Sequence, residues 1–173
     1  MMASTLLSAP SFINFAYGSN MSSARLRART PSARPIGIGQ LLAHRLMWHK
    51  AGRDGSAKCD VFETGDEGHA VWGVLYQIDE LERVHLDRAE GLGHGYAYKT
   101  VAVQTAVGVV RAGVYQATHI DAGLQPYDWY LAYVLHGARE HALPDHYQRE
   151  LASVTAVVDA DAQRRAMNLA ALL

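Results

Sequence analysis

Apolar and polar positions along the first two thirds of the chain change over with the short period of strands. Phe12-Ile13-Asn14-Phe15-Ala16 is a brief apolar run, read as a strand. Residues 36–48 read as one further strand segment, with Gly37 and Gly39 inside it. Gly52-Arg53-Asp54-Gly55 is a turn, and residues 57–62 and 70–78 are the next strands, separated by the polar loop 63–68. In 70–78 the face made by Val71, Gly73 and Leu75 and the face made by Trp72, Val74 and Tyr76 are both largely apolar. That pattern predicts a central strand covered on both sides. Residues 96–104 and 107–117 are rich in β-branched and aromatic residues and predict a hairpin.

The period lengthens afterwards. Tyr130, Leu131, Val134, Leu135 and Ala138 recur at helical spacing within 128–140, with Asp128 as the expected cap. Pro144 suits the first position of the next helix, which carries Tyr147 and Leu151. Residues 159–172 form a last helix rich in Ala, Arg and Leu. One short helix lies earlier, over 79–86 and on towards Gly91. Asp79 is its expected cap, Glu82 completes a capping box, and Gly91 is the expected stop. Strands first and helices later predict an α+β fold. Residues 1–10 read as a disordered tail ahead of a single domain over 11–173. They lack the basic start and long apolar core of a secretory signal.

Composition narrows the field. A hydrophobic content of 49% with 19% charged residues fits a globular domain with a full core. A net charge of −1 gives no basic footprint for nucleic acid. No apolar run has the ~20 residues that a membrane span needs. The single cysteine, Cys59, excludes an internal disulfide and fits a reducing, cytoplasmic setting, with packing as its expected role. Arg25, Arg27, Arg29 and Arg34 form a basic run without interleaved aromatics, and read as a solvated face. The 9 histidines show no metal-ligand spacing, so neither a metal nor a cofactor is expected. Gly91-Leu92-Gly93-His94-Gly95 follows a helix instead of opening one. It reads as a flap, not a phosphate cradle.

Two places offer chemistry. The first is Tyr17-Gly18-Ser19-Asn20-Met21, directly after the first strand. A strand ending in Tyr-Gly-Ser-Asn leaves backbone amides unpaired where the chain turns, and such amides can hold a carboxylate or an oxyanion. On spacing alone it equally fits an ordinary strand-to-turn junction. The second place is Leu86-Asp87-Arg88-Ala89-Glu90-Gly91. Glu90 falls on the last helical turn, where a negative charge is disfavoured, with Asp87 one turn earlier on the same face. A raised pKa is expected there, which suits a group that both takes and gives a proton near neutral pH. A solvated surface carboxylate is the plainer alternative.

Read in order, these segments resemble the γ-glutamylcyclotransferase family and its AIG2-like fold. The resemblance runs from about Phe12 to about Leu151. It rests on Tyr17 to Met21, on Val71-Trp72-Gly73-Val74, and on Leu86-Asp87-x-x-Glu90-Gly91. It continues through Tyr98-Lys99, Pro126 with Tyr130, Gly137-Ala138-Arg139-Glu140 and Leu143-Pro144-x-x-Tyr147. The resemblance implies a small, mixed, partly closed β-barrel with helices packed outside. It also implies an activity, in which the substrate's own α-amino group attacks its γ-carbonyl, closes 5-oxoproline and expels an amine. Glu90 would be the general acid/base. Tyr17, Gly18, Ser19, Asn20 and Met21 would hold the glutamyl end, with Ser19 a loop donor and not a nucleophile. Tyr98 and Tyr130 would shape the pocket, equally readable as core or rim aromatics. The segment between Glu90 and the Tyr-Lys pair is longer than the family pattern, so Tyr96 competes with Tyr98. A small-molecule γ-glutamyl substrate is the expected partner, with the protein a monomer or homodimer. A non-catalytic binding module on the same fold, and a hydrolase that uses water, are the competing readings.

Overall fold

The computed structural model describes residues 9–173. The expected tail over 1–10 therefore lies almost wholly outside the described residues. Seven strands and five helices follow: β1 (Ser11–Ala16), α1 (Ser23–Arg27), β2 (Arg34–Leu42), β3 (His44–Ala51), β4 (Ala57–Glu63), β5 (Ala70–Asp79), α2 (Arg83–Glu90), β6 (Tyr96–Thr105), β7 (Gly108–Ala117), α3 (Asp128–Glu140), α4 (Asp145–Ala152) and α5 (Ala162–Ala170). Five strands close a barrel in the order β1-β5-β2-β6-β7, while β3 and β4 form a separate two-stranded ribbon. The barrel closes where β1 meets β7 in parallel, at Asn14 opposite Gly113. Closure leaves the barrel itself without a free edge.

β5 is central, between β1 and β2, as its two apolar faces require. Val71, Val74, Leu75, Tyr76 and Ile78 are all buried to within 1% of full coverage. Gly73 has a packing reason. A Cβ there would lie 2.5 Å from the Ala16 carbonyl oxygen and 2.7 Å from the Phe15 ring. This lets β1 cross closely just before the chain leaves the barrel at Tyr17. The 96–117 hairpin forms as expected. No helix among the described residues is long and apolar enough to cross a membrane.

Three local expectations need correction. The expected strand over 36–48 is two strands in different sheets. Ala43 breaks it with φ 60, a left-handed conformation, and the chain leaves the barrel for the ribbon there. The capping box at Asp79 and Glu82 does not form. A 3₁₀ turn over Glu80–Glu82 precedes α2, and the Glu82 carboxylate accepts hydrogen bonds from the Ser32 amide (3.1 Å) and hydroxyl (2.6 Å). That contact ties α2 to the approach of β2. Asp128 and Pro144 are each displaced by one position. Tyr127 caps α3 and Asp128 is its first residue, while Pro144 caps α4.

Helix α2 is short and polar, and Leu86 is its one fully buried side chain. Burying a leucine contributes roughly 1.5–3 kcal/mol, so this anchor holds most of the helix in place. Gly91 ends it in the left-handed region (φ 69, ψ 45). Its amide bonds the Arg88 carbonyl (3.1 Å) and the Leu92 amide bonds the Asp87 carbonyl (2.9 Å). This double closure is the stop expected at Gly91, and it fixes the last turn that carries Glu90.

Candidate active site

The chain leaves β1 at Tyr17 and turns through a 3₁₀ helix over Ser19–Met21. The Met21 amide bonds back to the Gly18 carbonyl at 3.0 Å. Ser19 and Asn20, as the first residues of that turn, have no acceptor behind them within the helix. The turn is held from outside by α3. A Cβ on Gly137 would stand 2.5 Å from Met21 Cβ and 2.6 Å from the Met21 carbonyl carbon and the Ser22 nitrogen. Tyr76, from the central strand, donates to the Met21 carbonyl at 2.8 Å. Helix and strand thus clamp the loop from two sides.

Glu90 reaches this loop across the cavity. Asn20 Nδ2 donates to Glu90 Oε1 at 2.6 Å, and Arg29 Nη1 donates to the same oxygen at 2.9 Å. Arg29 also donates to Asn20 Oδ1 at 2.8 Å, closing a triangle of three side chains. The Glu90 side chain is only 14% exposed. Two donors on one oxygen leave Oε2 without a protein partner among the described residues. Asp87 does not share this environment, because its Oδ1 accepts a 2.6 Å hydrogen bond from the Tyr115 hydroxyl. The expected like-charge neighbour of Glu90 is therefore engaged elsewhere. A cation placed by expectation on a solvated face stands beside Glu90 instead.

Loop, acid and ribbon enclose a cavity of about 470 Å³. Tyr17, Gly18, Ser19, Asn20, Glu90, Tyr96 and Tyr130 all line it. Met21 does not. It is fully buried beneath the loop, where it packs against α3. Tyr98 does not line it either. Its ring lies over Gly113 on the barrel and stacks edge-on against Tyr115 at 5.3 Å. Side chains alternate along a strand, yet Tyr96 and Tyr98 share a face. What separates them is position: Tyr96 stands at the mouth of β6, beside the ribbon, and Tyr98 lies two residues further along the barrel wall.

The tyrosines on the wall are wired to the backbone. Tyr96 donates to the Cys59 carbonyl at 2.7 Å, and Tyr130 accepts from the Cys59 amide at 3.0 Å. Tyr17 donates to the Tyr115 carbonyl. Burial is the main cause holding the phenols of Tyr17, Tyr96 and Tyr130 well above their ordinary pKa, with neighbouring acids adding to it. They stay neutral hydrogen-bonding groups at any working pH. Burial likewise pushes the Cys59 thiol up to about 12, so it packs and does not attack. Gly18 sits directly over this pair, its missing Cβ 3.1 Å from Cys59 Cβ and 3.2 Å from the Tyr130 hydroxyl.

The basic run divides. Arg25 lines the cavity, donates to Ser19 Oγ at 3.1 Å and lies 4.3 Å over the Tyr133 ring. Arg29 holds Glu90. Arg25 lies on α1, and Arg29 on the turn just past its end, where its amide bonds the Leu26 carbonyl at 3.0 Å. Lys50 and Lys58 come from the ribbon and were not anticipated. Lys58 pairs with Asp54 at 2.7 Å and stands 4.8 Å over both Trp129 and Tyr130. Among the described residues no three His, Cys, Asp or Glu gather as a metal set would.

An acid and a loop with unpaired amides thus face each other across one cavity. A model of the AIG2-like family matches residues 70–151. A Bos taurus γ-glutamylcyclotransferase is 32% identical over 158 residues, covering 83% of this chain and 79% of the relative. The chain belongs to the γ-glutamylcyclotransferase family. A Homo sapiens γ-glutamylcyclotransferase is 30% identical over 158 residues with the same coverage. A solved γ-glutamyl cyclotransferase structure superimposes with a TM-score of 0.82, over 93% of this chain and 99% of that one. Its 24% identity makes this a statement about the fold that the family shares.

Proposed function

We propose that the protein is a γ-glutamylcyclotransferase that uses Glu90 as its general acid/base. The observation that carries the residue assignment is the junction of Glu90 with Asn20 at 2.6 Å, which brings the acid to the loop inside one cavity. The substrate is a γ-glutamyl amide of an amino acid or amine, and the cytoplasm is the setting.

The reaction needs no protein nucleophile. The substrate's α-amino nitrogen forms the new bond to the γ-carbonyl carbon, and the bond from that carbon to the leaving nitrogen breaks. Holding the glutamyl chain in this folded geometry supplies much of the barrier reduction. One proton leaves the attacking nitrogen and one arrives at the leaving nitrogen. A single carboxylate beside both can carry it. In this reading Glu90 Oε2, which has no protein donor, is the oxygen that exchanges the proton. Oε1 is kept in place by Asn20 and Arg29. The amides of Ser19 and Asn20 face the developing oxyanion, as preorganised donors. Tyr17, Gly18, Ser19 and Asn20 hold the glutamyl end from the cavity wall. Met21 holds the loop from beneath, and Tyr130 supports the wall at Cys59.

The test is product analysis. Incubation with γ-glutamyl-alanine should release 5-oxoproline and alanine. Glutamate as the product would make water the nucleophile and the enzyme a hydrolase. No turnover of any γ-glutamyl amide would make the cavity a binding site only.

A further inference from the structure

The wall around Glu90 is unusually basic for a chain of net charge −1. Arg25, Arg29, Lys50, Arg53, Lys58 and Arg88 line the cavity, and Asp54 and Glu90 are the carboxylates that face them. Both carboxylates are already taken, Glu90 by Arg29 at 2.9 Å and Asp54 by Lys58 at 2.7 Å. Arg25 is used against Ser19 and Tyr133. The Lys50 ammonium has no carboxylate or hydrogen-bond acceptor among the described residues. Yet it is not a loose surface lysine. It leaves β3 near the end of the ribbon and lies 5.0 Å over the Tyr96 ring. Its tip crosses Gly95 so closely that a Cβ there would stand 2.9 Å from Lys50 Cε and 3.0 Å from Nζ. Burial lowers its pKa, and the charge of Glu90 opposes that effect, which places the two groups in one electrostatic neighbourhood. A part-buried cation without a counter-ion is costly in the empty site and is relieved by an anion on the ligand.

The leaving group offers such an anion in one substrate class. In a γ-glutamyl α-amino acid the carboxylate is one carbon away from the leaving nitrogen. A cation that reads it must stand beside the acid that protonates that nitrogen. Building on the function proposed above, we infer that Lys50 determines specificity for the leaving amine by pairing with its α-carboxylate. Lys50 is then the residue through which the enzyme tells a leaving α-amino acid from an uncharged or cationic amine. Arg53, on the turn of the same ribbon and lining the same cavity, adds to the positive potential on that side.

The test compares γ-glutamyl-alanine with γ-glutamyl-alaninamide, which differ by one negative charge. Wild-type enzyme should favour the acid by about 10–100-fold in kcat/KM, the range for a charge-assisted hydrogen bond in a part-buried site. Lys50→Gln should bring the ratio to within about threefold of unity, and Lys50→Arg should keep most of the preference. Gly95→Ala keeps the charge but displaces the lysine tip, so it should lower the ratio without removing the cation. An equal kcat/KM for both substrates in wild type would overturn the inference and leave the cyclotransferase reading intact. So would a Lys50→Gln enzyme with an unchanged ratio, because Lys50 would then serve the glutamyl end common to both. Absence of 5-oxoproline from both substrates would refute the cyclotransferase reading, and this inference with it.

Discussion

Gly137→Ala separates the stability of the fold from the placement of its loop. Gly137 lies within α3, where alanine is favoured over glycine by about 1 kcal/mol. Here, however, the new methyl would stand 2.5 Å from Met21 Cβ and 2.6 Å from backbone atoms of Met21 and Ser22. An ordinary contact needs about 3.4–4 Å, so helix and loop must separate by about 1 Å. Backbone cannot swing aside as a side-chain tip can. Overpacking of this kind costs about 1–3 kcal/mol, partly offset by the helix preference. The net loss of stability should therefore be small, about 0–2 kcal/mol. The loop cannot stay where it was, and with it moves Asn20, the hydrogen-bond partner of Glu90. A misplacement of about 1 Å in a reacting geometry can cost about 10²-fold in rate. Urea unfolding gives the first quantity, and 5-oxoproline release from γ-glutamyl-alanine gives the second. A variant that unfolds like wild type and retains activity within about threefold would refute the claim that α3 positions the loop.

Gly18→Val should likewise be far more damaging than Ser19→Ala in kcat/KM. The valine collides with Cys59 and Tyr130, whereas the Ser19 hydroxyl only receives Arg25; equal losses would contradict a main-chain role for the loop. Asp87→Asn should lower stability by about 1 kcal/mol in denaturant melts, because the charged acceptor of the Tyr115 hydroxyl becomes neutral, and should leave turnover measurable. An inactive, folded Asp87→Asn paired with an active Glu90→Gln would reverse the two roles. Burial holds the His141 imidazole below its ordinary pKa, against the opposing pull of Glu140, so the folded state favours the neutral ring. Stability should then be fully present above about pH 6.5 and decline as pH falls below it; His141→Gln should flatten that slope in melts across pH 5–8.

Much of this site could be read before the fold was known, for physical reasons that are specific to it. The Tyr17–Asn20 turn and the Leu86–Gly91 helix end are each written in local chemistry, a strand stop and a left-handed glycine stop. Their meeting across the cavity is a tertiary fact, carried by the Asn20–Glu90 contact. Arg29 was misread because charge runs say nothing of which face is covered, and only the turn that closes after α1, at the Leu26 carbonyl, points it inward. Ala43 was invisible because nothing in an alanine announces φ 60; the crossover from barrel to ribbon forces it. Tyr96 and Tyr98 have the same alternation phase, so their pattern could not separate them. The end of β6, where Cys59 accepts the Tyr96 hydroxyl, decides it. Lys50 and Lys58 arrive on a ribbon whose packing against the barrel no local pattern encodes.

The most direct test of the account is Glu90→Gln. Glutamine keeps the shape and an oxygen for Asn20, and removes the exchangeable proton. The variant should fold, with its thermal unfolding close to wild type. Its rate of 5-oxoproline release from γ-glutamyl-alanine should fall by about 10²–10⁴-fold. A folded Glu90→Gln protein that turns over at the wild-type rate would contradict the assignment of Glu90 as the acid/base.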